Sequence, residues 1–173
     1  VLDSERCVLC SRCIRFCREI TGTAELGIFN HGRDNELLTV PGKQLDNDYS
    51  GCVVDICPVG ALTDKDFRFK RRVWYMKRTA SVCTGCSRGC NVFVDWEIDR
   101  RYKDPERRIQ RLKPRYNRMV NEWWMCDQGR YSYHAVDAPN RISTPRVNVQ
   151  GNGHVPSTDE VLTRAADKIQ SAL

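Results

Sequence analysis

The chain has 173 residues, of which 40% are hydrophobic and 29% charged, with ten cysteines and a formal net charge of +6. That length suits one ordinary domain or two small ones, and no apolar run is long enough to span a bilayer. Ten cysteines exceed what a routine core needs, and their tight clustering argues against long-range disulfides in favour of a reducing, soluble compartment. The charge is uneven: residues 1–66 carry 7 Lys/Arg against 11 Asp/Glu, residues 67–118 carry 16 against 5, and residues 119–173 carry 5 against 6. A basic central block of this kind docks an acidic partner, binds nucleic acid or forms a solvated face.

In chain order, residues 1–66 are expected to form a ferredoxin-like α+β module. A helix is predicted over Arg12–Ile20, with Cys13, Phe16, Cys17 and Ile20 on one face and Gly22 as its stop. Leu26–Phe29 and Glu36–Val40 read as short strands, joined by a turn through His31, Gly32, Asp34 and Asn35. Residues 50–56 suggest a second helix, ending at Cys57-Pro58. Residues 67–80 read as a basic linker containing Trp74 and Tyr75, and residues 81–137 as a second, β-rich module. Within it a strand is predicted over Asn91–Ile98, with Val92, Val94 and Trp96 on one side, and a return strand over Ile109–Leu112. Residues 138–173 combine a Pro-, Gly- and Asn-rich connector with a helix from Ser157, where Ser157 and Glu160 form a potential capping box. The apolar positions of that helix have no evident partner here, which suggests one piece of a longer polypeptide.

Eight cysteines fall into two tetrads, each with three close in sequence and a fourth far downstream: Cys7, Cys10, Cys13 with Cys57, and Cys83, Cys86, Cys90 with Cys126. Four thiolates match the four irons of a cubane cluster. In two-cluster bacterial ferredoxins the run is C-x2-C-x2-C-x3-C-P, whose last cysteine serves the other cluster. Cys57-Pro58 has that ending. Projecting the spacing back from it lands on Asn47, Ser50 and Val53, none of them a thiolate. The second run has therefore been lost while its exported cysteine remains for the first cluster. By the same rule Cys17, followed by Arg18 instead of Pro, has no cluster to serve, and Cys52 is out of register. Both are expected to be small buried hydrophobes.

The competing reading of each tetrad is zinc, which also takes four cysteines but usually as two separated pairs. The run Cys7–Cys13 departs from that habit; the looser Cys83–Cys90 loop keeps zinc a closer rival. Trp123 and Trp124 either exclude water around Cys126 or are ordinary core aromatics. His31, His134 and His154 lack metal-like spacing. No dinucleotide fingerprint, phosphate loop or nucleophile elbow is present, which argues against hydride transfer or hydrolysis within this chain.

These segments, ERCVLCSRCIRFCREITGTAELGIF (5–29), LDNDYSGCVVDICPVGALTDKDFRF (45–69), SVCTGCSRGCNVFV (81–94) and RLKPRYNRMVNEWWMCDQGRYSYH (111–134), resemble the large iron–sulfur subunit (the G subunit) of bacterial NADH:quinone oxidoreductase, the complex I type. The resemblance implies two [4Fe-4S] clusters: one at Cys7, Cys10, Cys13 and Cys57 on the main electron path, and an additional one at Cys83, Cys86, Cys90 and Cys126 away from it. It implies that residues 138–173 open a molybdopterin-type domain that lacks its pterin. It implies a flavin-bearing NADH-oxidising subunit and a quinone-side iron–sulfur subunit as partners, in a peripheral arm on the cytoplasmic face of the inner membrane, with membrane contact only through the complex and no nucleic acid. Formate dehydrogenases and NAD-linked hydrogenases of related layout tend to keep the full second ferredoxin run, and pterin-bearing relatives tend to carry Lys where Gln128 stands. The remaining alternatives are the electron-input region of such an enzyme, or a zinc-stapled basic module that binds nucleic acid or protein.

Overall fold

The computed structural model describes residues 1–97, 108–141 and 156–172. Expectations for Ile98, Arg100, Arg101, Lys103, Arg107, His154, Leu173 and the connector beyond Arg141 lie outside the described residues. The chain divides into two compact units, Val1–Asp137 and Ala138–Leu173. The two cysteine modules thus belong to one unit.

In that unit, helix α1 (Arg12–Arg15) continues as a π-helical turn over Phe16–Ile20. The widened turn closes with the Thr21 N–H donating to Phe16 O at 3.2 Å. It ends because the Cys17 carbonyl is taken by the N–H groups of Thr23 and Ala24 and by the Thr21 hydroxyl, and Gly22 then turns at φ +71°. Cys13, Phe16 and Cys17 are buried on one face as expected, but Ile20, expected with them, is 53% exposed because the wider turn rotates it off the apolar stripe. Strands β1 (Leu26–Phe29) and β2 (Glu36–Thr39) pair antiparallel, Leu26 opposite Thr39. Helix α2 (Cys52–Ile56) leads directly to Cys57. The first core contains Phe16, Cys17, Leu26, Leu37, Cys52 and Val53.

The second core lies under a three-stranded sheet, β3 (Lys77–Val82), β4 (Asn91–Trp96) and β5 (Ile109–Pro114), in that order and antiparallel. β3 begins at Lys77, within the last four residues of the segment read as a linker. Its sequence, KRTASV, has no apolar alternation, and its residues are mostly exposed. What makes it a strand is backbone pairing with β4, from Lys77 opposite Trp96 to Val82 opposite Asn91, which leaves no hydrophobic signal. Val92, Leu112, Met125 and Tyr133 fill the core, with Val94 and Cys83 against it. Helix α3 (Asp127–Tyr131) starts at Cys126.

Part of the basic block is neutralised by ion pairs within the chain. Arg71 pairs with Glu97 at 2.8 Å with both side chains nearly buried, and Arg108 pairs with Asp137 at 2.7 Å. Asp95, 1% exposed, accepts from Arg78 Nε at 2.6 Å and Arg111 Nε at 2.7 Å. Burial alone pushes its pKa up, but the two guanidiniums outweigh that and hold it below the ordinary aspartate value. A depressed folded pKa gives stability that is complete above the unfolded value of about 3.9 and is lost as pH falls through the lower folded one. Asp95→Asn is expected to cost about 2 kcal/mol at neutral pH and to flatten the acid limb of a stability–pH profile measured by urea unfolding. An unchanged acid limb would show that Asp95 is not the titrating group.

In the second unit, α4 (Thr158–Ala172) is capped by the Ser157 hydroxyl, which accepts from the Glu160 N–H at 3.3 Å. The Glu160 carboxylate pairs onward with Arg164 at 2.9 Å, an i,i+4 pair that adds a few tenths of a kcal/mol, roughly 0.2–0.5. Leu162 and Ile169 on its apolar stripe are exposed.

Candidate iron–sulfur sites

The first tetrad is assembled from two stretches separated by the β1–β2 hairpin. Cys7, Cys10 and Cys13 line one cavity together with Cys57, whose walls include Ile28 from β1 and Leu37 from β2. Getting three thiols from seven consecutive residues to face one space requires an unusual loop. Leu9 and Ser11 sit at φ 52° and 57°, left-handed conformations that cost on the order of 1–3 kcal/mol each for residues with a Cβ. The Cys57 sulfur accepts from the Leu62 N–H at 3.5 Å. Burial alone would raise its pKa, but hydrogen bonds from the backbone of Leu62, Val59, Ala61 and Gly60 more than offset this, and the pKa is lowered. The chain after Cys57-Pro58 therefore wraps its N–H groups around one sulfur and favours the thiolate, the form that binds metal. Burial pushes the Cys13 thiol up, with the neighbouring Cys10 and Cys7 adding to it; such a thiol gives up its proton on binding metal.

Cys17 is fully buried in the first core, and burial first, then Glu25 and Cys13, pushes its thiol up to about 11. Cys52 is buried too, and burial raises its pKa. It is more than a small hydrophobe: its thiol donates to Met125 O at 3.2 Å and its sulfur lies 3.6 Å from Arg130 Nη2. No composition or spacing rule signals that role, because its partners lie more than seventy positions away.

The second tetrad gathers around the start of α3. A Cβ added at Gly129 would meet the Cys83 sulfur at 3.0 Å and the Cys126 sulfur at 3.4 Å, so the missing side chain lets the backbone lie against sulfurs from two distant segments. The Gly129 N–H donates to Cys126 Sγ at 3.4 Å. Burial pushes the Cys90 thiol up; Arg88 pulls it down, and Cys83, Cys126 and Cys86 push it up again. Cys86, Cys90 and Cys126 face a cleft of about 800 Å³ shared with Thr21, Tyr49 and Trp124. Asn121 fixes the loop: its Oδ1 accepts from the Asn91 N–H beside Cys90 at 2.9 Å, and its Nδ2 donates to Trp124 O at 3.1 Å beside the chain to Cys126. Sequence reading missed Asn121, a buried polar residue in an apolar and aromatic stretch (Met119, Val120, Trp123, Trp124) that gives no periodic signal for it. Trp124 packs on Phe16 with ring centroids 4.8 Å apart. Trp123, expected beside it, is 63% exposed and packs on Tyr116 instead.

The donor set fits iron–sulfur chemistry: all-thiolate sites, backbone N–H groups aimed at sulfur, and apolar walls around the first. Among the described residues, no group of three or more His, Cys, Asp or Glu is gathered closely enough to hold a single metal ion. His31 and His134 lie outside both tetrads; His134 stacks on Tyr133 and sits 3.2 Å from Asp66. No helix among the described residues is long and apolar enough to cross a membrane.

Residues 1–63 match the family model of NADH-quinone oxidoreductase subunit 3, ferredoxin-like domain. Over 166 residues, 96% of this chain, the sequence is 37% identical to the G subunit of NADH-quinone oxidoreductase from Rickettsia bellii, covering 23% of that protein. It is 36% identical over 96% of the chain to the mitochondrial NADH-ubiquinone oxidoreductase 78 kDa subunit of Neurospora crassa, covering 21% of it. It is 34% identical over 97% of the chain to the G subunit from Pseudomonas fluorescens, covering 18% of it. The chain thus spans about a fifth of the length of the curated relatives it matches. With a ferredoxin-like domain matched over residues 1–63 and this similarity along nearly all of its length, the chain is similar to a segment of the NADH-quinone oxidoreductase G subunits.

Proposed function

We propose that this chain is an electron-relay segment of an NADH:quinone oxidoreductase. Two [4Fe-4S] clusters, one on Cys7, Cys10, Cys13 and Cys57 and one on Cys83, Cys86, Cys90 and Cys126, supply one-electron redox chemistry when bound. The first lies on the path from a flavin-bearing NADH-oxidising subunit toward a quinone-side iron–sulfur subunit, and the second lies away from that path. Residues 138–173 open a molybdopterin-type domain without pterin, and the whole sits in the peripheral arm of a membrane complex. The protein's part is to position, bury and tune. Leu62 N–H and Gly129 N–H each direct a donor at a cysteine sulfur, which spreads negative charge and favours the reduced state. Ile28 and Leu37 keep water off the first site.

The observation that supports this reading most is the meeting of Cys57 with Cys7, Cys10 and Cys13 on one cavity, across more than forty residues. Metal analysis of anaerobically purified protein tests it: about eight irons per chain are expected from two four-iron clusters. A colourless protein with zinc in place of iron would contradict it, and molybdenum or tungsten in the protein would favour a formate dehydrogenase.

A further inference from the structure

Each tetrad depends on one remote cysteine, and those two cysteines sit on neighbouring elements. Cys57 directly follows α2, and Cys126 directly precedes α3. A dense set of polar contacts ties the two elements together. Asp127 accepts from the Ser50 hydroxyl at 2.5 Å and the Gly51 N–H at 2.9 Å, while its own N–H donates to Asp48 O at 2.7 Å. The Cys52 thiol donates to Met125 O at 3.2 Å. Arg130, with a side chain 5% exposed, donates to Asp55 Oδ2 at 2.6 Å. Arg130 Nε approaches Asp127 Oδ1 at 3.8 Å, and Lys113 reaches Asp55 from β5 at 3.3 Å.

Gly51 shows how closely the elements approach. A Cβ there would overlap Arg130 Nε, lie 2.7 Å from Arg130 Cδ and 2.8 Å from Asp127 Oδ1. Its φ of −63° is open to any residue. What demands glycine is the neighbouring ion cluster and not the local backbone.

We infer that the Asp55–Arg130–Asp127 cluster is a joint that holds the remote ligands of both tetrads in register, so that loosening it from the α3 side loosens the first site as well as the second. The inference rests on the two-cluster reading above. Asp127 and Arg130 are positioning residues: neither lines the cavity of the first tetrad, and both bond the segment from Asp48 to Asp55 that leads into Cys57. A buried, multiply bonded ion cluster transmits displacement better than an apolar contact, because its members cannot slide past each other without leaving a charge unpaired.

The test follows iron release to a chelator in anaerobically purified protein, reading the two clusters separately by their EPR signals after reduction. Asp127→Asn and Arg130→Met are both expected to speed release at the first site as well as the second, by roughly tenfold, the scale of outer-contact substitutions at metal sites. A change confined to the second site overturns the inference. Asp95→Asn, which weakens the β-sheet without touching the joint, is the control; first-site release as fast as in Asp127→Asn would mean general loss of stability and overturn it too. Should Arg130→Met fail to fold by circular dichroism, Asp127→Asn decides, since it keeps the side chain's size and an acceptor oxygen. In parallel, the metal-free variants are alkylated and mapped by peptide mass spectrometry. The joint predicts that Cys57 gains reactivity together with Cys126, and an unchanged Cys57 overturns it. If the unaltered protein holds no iron, the relay reading fails while the alkylation arm still decides the joint.

Discussion

Cys57→Ser is expected to abolish the first cluster, lowering the iron content by about four per chain, while Cys17→Ser leaves it in place. The two residues differ in setting, not in type. Cys57 opens onto the cavity shared with Cys7, Cys10 and Cys13, and backbone donors favour its thiolate. Cys17 is sealed in the core beside Phe16, with its thiol pushed up to about 11 by burial, Glu25 and Cys13. Its replacement by Ser should instead appear as a loss of stability of about 1–3 kcal/mol, from placing a hydroxyl in an apolar pocket. Iron analysis with EPR of both variants is decisive, and the reverse pattern would invalidate the ligand assignment.

Arg130→Met carries the largest expected cost to stability. Removing one member of a buried ion pair leaves the other uncompensated, typically at about 3–5 kcal/mol. The loss should fall near the lower end, because Lys113 stays 3.3 Å from Asp55. Replacing both partners, Asp55→Leu with Arg130→Met, should recover most of the loss, since two apolar groups need no mutual charge and Lys113 can turn to water. Urea unfolding of both variants checks this. A double variant no more stable than Arg130→Met would mean that the cost lies in packing and not in the stranded charge.

The cysteine spacing groups Cys7, Cys10 and Cys13 with Cys57, and the structure sets these four around one cavity. Asn47, Ser50 and Val53 show that no second C-x2-C-x2-C run precedes Cys57, and β1 and β2 were visible from short apolar runs between turn residues. Elements held by pairing or charge were not. β3 carries no alternation, and Asp95 is buried among polar neighbours in a strand, where pattern alone expects a solvent-facing carboxylate. Arg71 and Arg130 look like surface cations until their partners, Glu97 and Asp55, are located in space. The widened turn at Phe16–Ile20 likewise displaced Ile20 from a face that straight-helix periodicity assigned to it. Hydrophobic periodicity reports apolar burial; it is silent about charge burial, which is decided by partners distant in sequence.

Anomalous scattering recorded at the iron absorption edge, on crystals grown without oxygen, tests the central claim most directly. It should reveal two compact iron centres, one bonded to Cys7, Cys10, Cys13 and Cys57 and the other to Cys83, Cys86, Cys90 and Cys126. A first centre that lacks Cys57, or a signal that appears at the zinc edge instead, would contradict it.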